Sequence, residues 1–284
     1  MVDLTAIILT KNEEKNIEIC INSIKSIAKR IIVIDSFSTD NTVKLAQNLG
    51  AEVYQHKFVN YSKQFSYGLH SFNISTTWVL RIDADESLSK DGQDEIEKFC
   101  IENMNNDING LIINFEYNFM GKEIKHGGLY PFKKLLLFKY GKGDIEDRYM
   151  DEHIILSEGT YKIGKAINYH RDYKNLTYWI NKHNWYSDRE AYDYLNRKND
   201  FNHLDKKAKI RRFIKFNVYY KLPFFLRVRL YYWYRLYFKL AFLDGKEGRA
   251  LCYLHAYWYR YLVDLKIYEA KKNNALPEVG KDLH

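Results

Sequence analysis

Trp78-Val79-Leu80-Arg81-Ile82-Asp83-Ala84-Asp85-Glu86 is an apolar run that ends in two carboxylates spaced Asp-x-Asp, with a third acid directly behind. The run predicts a buried strand. Side chains on a strand repeat every two residues, so Asp83 and Asp85 are expected on one side of its end. Hard oxygen ligands at a strand end suit Mg²⁺ or Mn²⁺, and such ions commonly accompany a phosphate-bearing substrate. Asp-x-Asp alone is a weak signal, because acidic residues gather at turns and helix caps in any protein. Its meaning depends on what the neighbouring segments place beside it.

Upstream, short apolar runs alternate with helical spacing. Thr5-Ala6-Ile7-Ile8-Leu9 reads as a buried strand closed by Thr10-Lys11-Asn12. Asn12 is a candidate cap for a helix carrying Glu13 and Glu14 in its first turn, with Ile17, Ile21, Ile24 and Ala28 following at helical spacing. Ile31-Ile32-Val33-Ile34 is the next strand and ends at Asp35. Ser38-Thr39-Asp40-Asn41 supplies turn and cap chemistry, Thr42 to Leu49 reads as helix, and Gly50 as its C′ residue. Glu52-Val53-Tyr54 is a third strand, Tyr61 to Phe72 a helix, and Thr77 to Asp83 the fourth strand. This alternation predicts an α/β fold with a mostly parallel central sheet and flanking helices. In such sheets the ligand site lies beyond the carboxyl ends of the strands. Those ends carry Thr10, Asn12 and Glu13, then Asp35, then Asp83 and Asp85, so these groups are expected to converge. Neither Gly-x-Gly-x-x-Gly nor Gly-x-x-x-x-Gly-Lys-Ser/Thr occurs, which disfavours dinucleotide and P-loop sites.

From Gly110 the pattern changes to longer strands, Leu111 to Phe115 and Lys134 to Phe138, with Gly127-Gly128 and Gly141-Lys142-Gly143 in loops. Asp151-Glu152-His153 precedes the apolar Ile154-Ile155-Leu156. A boundary near Asn202 to Asp205 is expected, giving an α/β domain over 1–205 and a helical region over 206–284. The 284 residues, 46% hydrophobic and 28% charged, have the composition of a folded protein with a sizeable core. Cys20, Cys100 and Cys252 are odd in number and far apart, which argues for a reducing compartment and against a disulfide framework or zinc site. The opening Met-Val-Asp-Leu shows no signal peptide, and no apolar run has the length of a spanning helix, so a cytoplasmic location is expected.

The net charge of +8 is unevenly placed. Lys206 to Lys272 holds 17 Lys/Arg against 4 Asp/Glu, a local +13, which leaves the rest of the chain at −5. The same stretch holds 19 of the 46 aromatic residues. Basic faces with Trp and Tyr belts suit an anionic membrane surface. A homo-oligomer interface is the competing use of an aromatic-rich face. Charge alone admits nucleic acid, but no recognisable nucleic-acid module accompanies it, so none is expected as a partner.

Taken in order, Ile8-Leu9-Thr10-Lys11-Asn12-Glu13-Glu14, then Ile34-Asp35-Ser36-Phe37-Ser38-Thr39-Asp40-Asn41-Thr42, then Arg81 to Glu86 resemble the family-2 inverting glycosyltransferases of the GT-A fold. Asp151-Glu152-His153, Ile167-Asn168-Tyr169-His170, Lys182-His183-Asn184-Trp185-Tyr186-Ser187 and Phe242 to Gly248 are similar to its subgroup of lipopolysaccharide and lipooligosaccharide core β-1,4-glucosyltransferases. The resemblance covers almost the whole chain and is looser after Asp85. It implies a GT-A, Rossmann-like fold, Mn²⁺ or Mg²⁺ as cofactor, a UDP-sugar donor such as UDP-glucose, and a bacterial glycan or glycolipid acceptor. The expected place of work is the inner face of the cytoplasmic membrane.

By the same resemblance Thr10, Asn12 and Glu13 line the nucleotide pocket, and Asp35 holds uracil or ribose. Asp83 contacts the ribose or the metal, Asp85 ligates the metal, and Glu152 is the general base with Asp151 as its competitor. Lys63 is the nearest basic residue to the start of the third helix, and Lys133 and Lys134 are the cations in the strand after the Gly-Gly loop. The chemistry suits these types. An inverting transfer is a single in-line displacement and needs a carboxylate base opposite the leaving group. A diphosphate leaves as an anion, and a metal with nearby cations neutralises it.

Plainer roles stand beside these. Asp35 is also a natural strand-end acid capping Ser38 or Thr39, and Glu13 a partner of the helix dipole. Asp151 and Glu152 also read as surface acids before a strand, and His126 as a loop histidine. His170 is either a third metal ligand or a hydrogen-bonded core histidine. For the whole protein, the alternative to an enzyme is a non-catalytic glycan- or lipid-binding module on the same scaffold.

Overall fold

The computed structural model describes residues 1–148, 152–196, 210, 213–214 and 217–279. The chain divides into two compact units, Met1–Asn118 with Pro131–Lys174, and Phe119–Tyr130 with Asn175–His284. The boundary expected at Asn202 to Asp205 lies outside the described residues, as does most of the Lys206 to Arg212 basic run.

The first half of the first unit contains β1 (Val2–Thr10), β2 (Ala28–Asp35), β3 (Glu52–Gln55), β4 (Trp78–Asp83) and β5 (Glu86–Ser87). Between them run α1 (Ile17–Ile24), α2 (Thr42–Asn48) and α3 (Tyr61–His70), and α4 (Lys90–Glu102) follows. Then come β6 (Ile108–Phe115) and the short β7 (Tyr117–Phe119), while β8 (Lys122–Ile124) falls in the second unit. Last are β9 (Phe132–Lys139), β10 (Gly143–Ile145), β11 (Ile154–Leu156) and β12 (Thr160–His170). Eight strands form one sheet in the order β3-β2-β1-β4-β9-β6-β12-β5. The first four are mutually parallel, β9 runs antiparallel to both its neighbours, and β12 is parallel to β6.

Every residue of β1 from Leu4 to Thr10 is buried, as expected of a strand covered on both faces. Alternate residues go to opposite faces. Leu4, Ala6 and Ile8 pack with Val33, Leu80 and Ile82 and with the apolar sides of α1 and α4. Ile7 and Leu9 join Ile32, Ile34 and Val79 against Phe65 and Leu69 of α3. That helix lies close to the sheet at Gly68, where a Cβ would come within 2.9 Å of both Ile7 and Ile34. Burying each of these Ile and Leu side chains contributes about 1.5–3 kcal/mol, so the two apolar faces of β1 are what seat the strand ends.

The first helix starts later than its sequence suggests. Asn12 does not cap it: α1 begins at Ile17 after Asn16, while Asn12 has φ 52° and its Oδ1 accepts from the Thr39 N–H at 2.8 Å. The Asn12 N–H donates to Ser38 Oγ at 2.8 Å and the Glu13 N–H to Thr42 Oγ1 at 2.8 Å. The Glu14 N–H reaches Asp40 at 3.2 Å. These donors are satisfied sideways by the loop after β2, and helical bonding starts at the Glu13 carbonyl, which accepts from the Ile17 N–H at 2.8 Å. Glu13 and Glu14 therefore stand at the entrance to α1, just ahead of Ile17. The helix expected to reach Phe72 ends at His70.

The second unit is helical. It contains α5 (Leu176–Leu195) and the helices Phe224–Trp233, Gly245–Cys252 and Tyr259–Asn273, with π-helical stretches at Tyr234–Phe238 and Tyr253–Trp258. Ala191 of α5 packs with Tyr259, Val263 and Ile267. Charged pairs fix the helices: Arg227 Nε donates to Asp264 at 2.7 Å, and Glu190 accepts from Arg260 at 2.6 Å and from the Tyr259 hydroxyl at 2.7 Å. Among the described residues no helix is long and apolar enough to cross a membrane.

Candidate active site

The strand register brings the expected polar groups together. In the parallel ladder Thr10 stands beside Asp35, and Leu9 beside Asp83. Asp35 is fully buried and accepts from the Ser38 N–H at 2.9 Å, from the Ser38 hydroxyl and from Gln55 at 3.3 Å. It organises the turn in the way a strand-end acid is expected to. Thr10 Oγ1 beside it is buried and has no hydrogen-bond partner among the described residues, a site that a bound polar group would satisfy. Glu13 accepts from Asn16 at 2.6 Å and pairs with Lys174 at 2.6 Å. Lys63 is exposed and pairs with Asp147 at 2.9 Å, so its partner is not one of the strand-end acids.

Asp83 and Asp85 are brought together differently from the expectation. β4 stops at Asp83, and Ala84 and Asp85 form a turn, so strand alternation does not govern Asp85. The chain then re-enters the sheet as β5, which pairs antiparallel with β12 and sets Glu86 opposite His170. His170 Nδ1 lies 3.9 Å from Asp85 and 3.8 Å from Glu86. Lys134 on β9 donates to Glu86 at 2.8 Å and to Asp83 at 3.2 Å. The Asp83 N–H donates to Glu86 Oε2 at 3.1 Å.

Burial pulls the two acids toward neutrality, but their partners separate them. For Asp83 the largest effect is burial, which raises its pKa; Lys134 and Arg81 together outweigh it and hold the carboxyl below its ordinary value. For Glu86 burial wins, only partly offset by Lys134, and its pKa is raised. Both cations are held charged against their own burial, Lys134 by Glu86 and Asp83, Arg81 by Asp83 and Glu152. Pairs of titratable groups driven apart in this way are common at functional sites.

Arg81 extends the cluster. Its side chain is buried in β4, 3.7 Å from Asp83 and 2.8 Å from Glu152, with the guanidinium over the Phe65 ring at 5.5 Å. Glu152, the candidate base, is itself largely buried. Asp151, its competitor, lies outside the described residues. Sequence reasoning placed neither Arg81 nor Glu86 in the site and noted Lys134 only as a nearby cation. The signal for Arg81 was a charge inside an otherwise apolar strand, which is stable there only if paired. Lys174, the partner of Glu13, has no such signal in its neighbourhood.

Carboxylates with one imidazole are donor types that a divalent ion accepts. His170 Nδ1 is buried, makes no hydrogen bond, and faces two carboxylates. Its Nδ1 thus lacks the hydrogen bond that the plainer reading supplies. Among the described residues no three His, Cys, Asp or Glu side chains are already gathered around a common point. His126 belongs to the second unit, where its backbone N–H and Nδ1 both meet Asp244 at 2.7 Å.

Residues 5–146 match the family described as glycosyl transferase family 2. A glycosyltransferase of Rickettsia typhi, described as uncharacterized, is 32% identical over 202 residues, 68% of this chain and 68% of that protein. Another from Rickettsia bellii is 49% identical over 94 residues, 33% of this chain and 31% of its own length. Matches to this and to the Rickettsia felis and Rickettsia conorii relatives thus span about a third of each of those proteins. Glucosyl-3-phosphoglycerate synthase from Mycobacterium tuberculosis, solved with Mn²⁺, UDP and glucosyl-3-phosphoglycerate, aligns at 22% identity and a TM-score of 0.34. That alignment covers 39% of this chain and 43% of the synthase. The mostly parallel sheet with flanking helices is a GT-A-like fold, as the strand-end motifs predict. With the family match over residues 5–146 and a relative matched across two-thirds of both chains, this protein belongs to glycosyl transferase family 2.

Proposed function

We propose that the protein is a metal-dependent inverting glycosyltransferase that moves a hexose, glucose from UDP-glucose, to a bacterial surface-glycan acceptor such as lipopolysaccharide core. It works peripherally at the inner face of the cytoplasmic membrane. The supporting observation is the shared cation Arg81, which lies 2.8 Å from Glu152 and 3.7 Å from Asp83. One buried guanidinium thereby joins the candidate base to the Asp-x-Asp corner.

In this reading Thr10, Asn12, Glu13 and Asp35 border the nucleoside, and Lys63 approaches from the start of α3. Asp85 and His170, with Asp83 close by, would hold a divalent ion, whose positive charge when bound would stabilise the diphosphate leaving group. Lys134 and Arg81 add fixed positive charge beside the same corner. The acceptor oxygen attacks the anomeric carbon as the bond to the diphosphate breaks. The bonding pair leaves on the nucleotide, and the acceptor proton passes to the Glu152 carboxylate, with inversion at carbon.

Glu152→Gln tests the assignment because it keeps the shape and removes the base. Titration calorimetry should show UDP binding retained while turnover falls at least about a hundredfold. A normal rate in that variant would move the role to Asp151. A screen of UDP-, GDP- and dTDP-sugars against the wild type identifies the donor, and silence across the panel with no nucleotide binding would favour the non-catalytic binding module.

A further inference from the structure

The turn after the helix Phe224–Trp233 exposes apolar side chains that the fold does not use. Phe238 is 80% exposed and Leu243 54%, and Tyr237, Leu240 and Phe242 beside them are also exposed. Burial is the usual return for holding such residues in one place, and here it is absent. The turn is nevertheless tightly built. Arg235, buried behind it, donates to the Gly127 carbonyl at 2.6 Å, and the Gly127 N–H donates to the Lys239 carbonyl at 2.7 Å. Leu240 adopts φ 59°, a left-handed conformation that is costly for a residue with a Cβ.

The apex continues into a band of rings. Phe242, Tyr237, Trp233, Tyr232 and Tyr253 follow one another with centroids 5.1 to 6.2 Å apart. Its charge is of one sign. Arg229, Lys239, Lys246 and Arg249 are exposed around it. From Lys206 to Tyr253 the sequence has only two acids, Asp244 and Glu247. Asp244 is buried against His126, and Glu247 lies 3.5 Å from Lys122.

We infer that this face docks on an anionic lipid surface, with Phe238 and Leu243 entering the acyl boundary and Trp233 and the tyrosines at headgroup depth. Aromatic rings with an apolar body and a polar edge favour that depth, and the surrounding cations meet lipid phosphate. A second copy is a poorer occupant, because a two-fold pair would set the same four cations against each other. The inference supplies the means for the peripheral location in the proposed function, and it rests on this surface alone, not on the assigned chemistry.

Vesicle co-sedimentation of the full chain tests it, using phosphatidylcholine alone and phosphatidylcholine with about a third phosphatidylglycerol. The protein should pellet with the anionic vesicles at low salt and be released as salt rises. Phe238→Ser with Leu243→Ser should weaken binding at least about tenfold. Lys239→Glu should weaken it by about fivefold or more and flatten the salt dependence. Both variants should keep the wild-type circular dichroism and transfer to a soluble acceptor, so loss of docking is separable from failure of the catalytic reading. Failure of the wild type to pellet at low salt would overturn the inference, as would unchanged binding by the Phe238/Leu243 variant. A wild-type dimer in sedimentation equilibrium that the same variant dissolves would also overturn it and assign the face to a second copy.

Discussion

Replacing Arg81 by Met keeps an unbranched stem in the strand and removes the guanidinium that lies over Phe65 and that Glu152 and Asp83 share. Taking one partner from a buried ion pair costs about 3–5 kcal/mol, because the remaining charge is left in a poor solvent. Two features here lower the cost. Asp83 keeps Lys134 at 3.2 Å, and the Glu152 side chain is 11% exposed, so its carboxylate is not wholly cut off from water. The expected loss is therefore about 3 kcal/mol, the low end of that range. For a unit of this size it lowers the melting temperature by about 6–12 °C. Activity should suffer more than stability suggests. An untethered Glu152 moves by an ångström or more, and such displacement of a catalytic group costs about a hundredfold in kcat. Donor KM should change little, since the diphosphate corner retains Asp85 and Lys134. Arg81→Lys is the informative companion. It restores charge but lacks the rigid planar group whose Nη2 meets both carboxylates, so it should recover most of the melting temperature and only part of kcat. The assay is steady-state transfer alongside a thermal melt. Wild-type kcat in Arg81→Met at a lowered melting temperature would show that Arg81 is structural and has no part in positioning Glu152.

Three further outcomes are expected. Asp85→Asn should remove the stimulation of UDP-glucose turnover by Mn²⁺ while shifting the melting temperature by under about 2 °C, because Asn keeps the size and shape of the side chain; metal-stimulated turnover equal to wild type would displace it as the ion's ligand. Gly92→Ala should cost about 1–3 kcal/mol in a urea melt, since its Cβ would fall 1.9 Å from Asn168 Oδ1, which accepts from the Ser89 N–H and holds the start of α4 to β12; an unchanged midpoint would show that Asn168 has room to move. The second unit should lose stability in mild acid. Burial lowers the pKa of His183 to about 4 and that of His255 well below its ordinary value, so only the unfolded chain takes up these protons as pH falls below about 6.5. Stability is full above that pH and declines toward pH 4, by on the order of 3 kcal/mol for His183 alone, and His183→Phe should flatten the profile of melting temperature against pH.

Much of the first unit is legible because its physics is local. A strand covered on both faces is largely apolar, so β1, β2 and β4 announce themselves as apolar runs in the sequence, broken in β4 only by Arg81. Parallel strands then fix where their carboxyl ends lie, and Thr10, Asp35 and Asp83 follow without further information. Asn12 shows the limit of the same reasoning. Asn before two glutamates is a good cap signature, yet the loop from Ser38 to Thr42 offers its hydroxyls and carboxylate to those very backbone donors. That competition comes from residues 26 or more positions away, which local pattern cannot weigh.

The site divides along the same line. Its acids lie at the ends of strands that pattern reveals, but its cations come from across the sheet. Lys134 reaches Glu86 because β9 inserts beside β4 from later in the chain, and Glu86 meets His170 because β5 pairs with β12. The spacing of Asp83 and Asp85 suggested one strand aiming both, whereas the strand stops at the first and a turn delivers the second. What makes the corner chemically distinct is therefore largely long-range: a half-buried lysine from β9 joins Arg81 in holding Asp83 charged, while burial drives Glu86 the other way. Arg81 is the exception that a closer reading of sequence could have found. A guanidinium inside Leu80-Arg81-Ile82 needs a partner, Asp83 is two residues on, and a second acid was required from elsewhere. The structure supplies Glu152 in that place, so the residue singled out as the base and the one charge out of keeping with its strand explain each other.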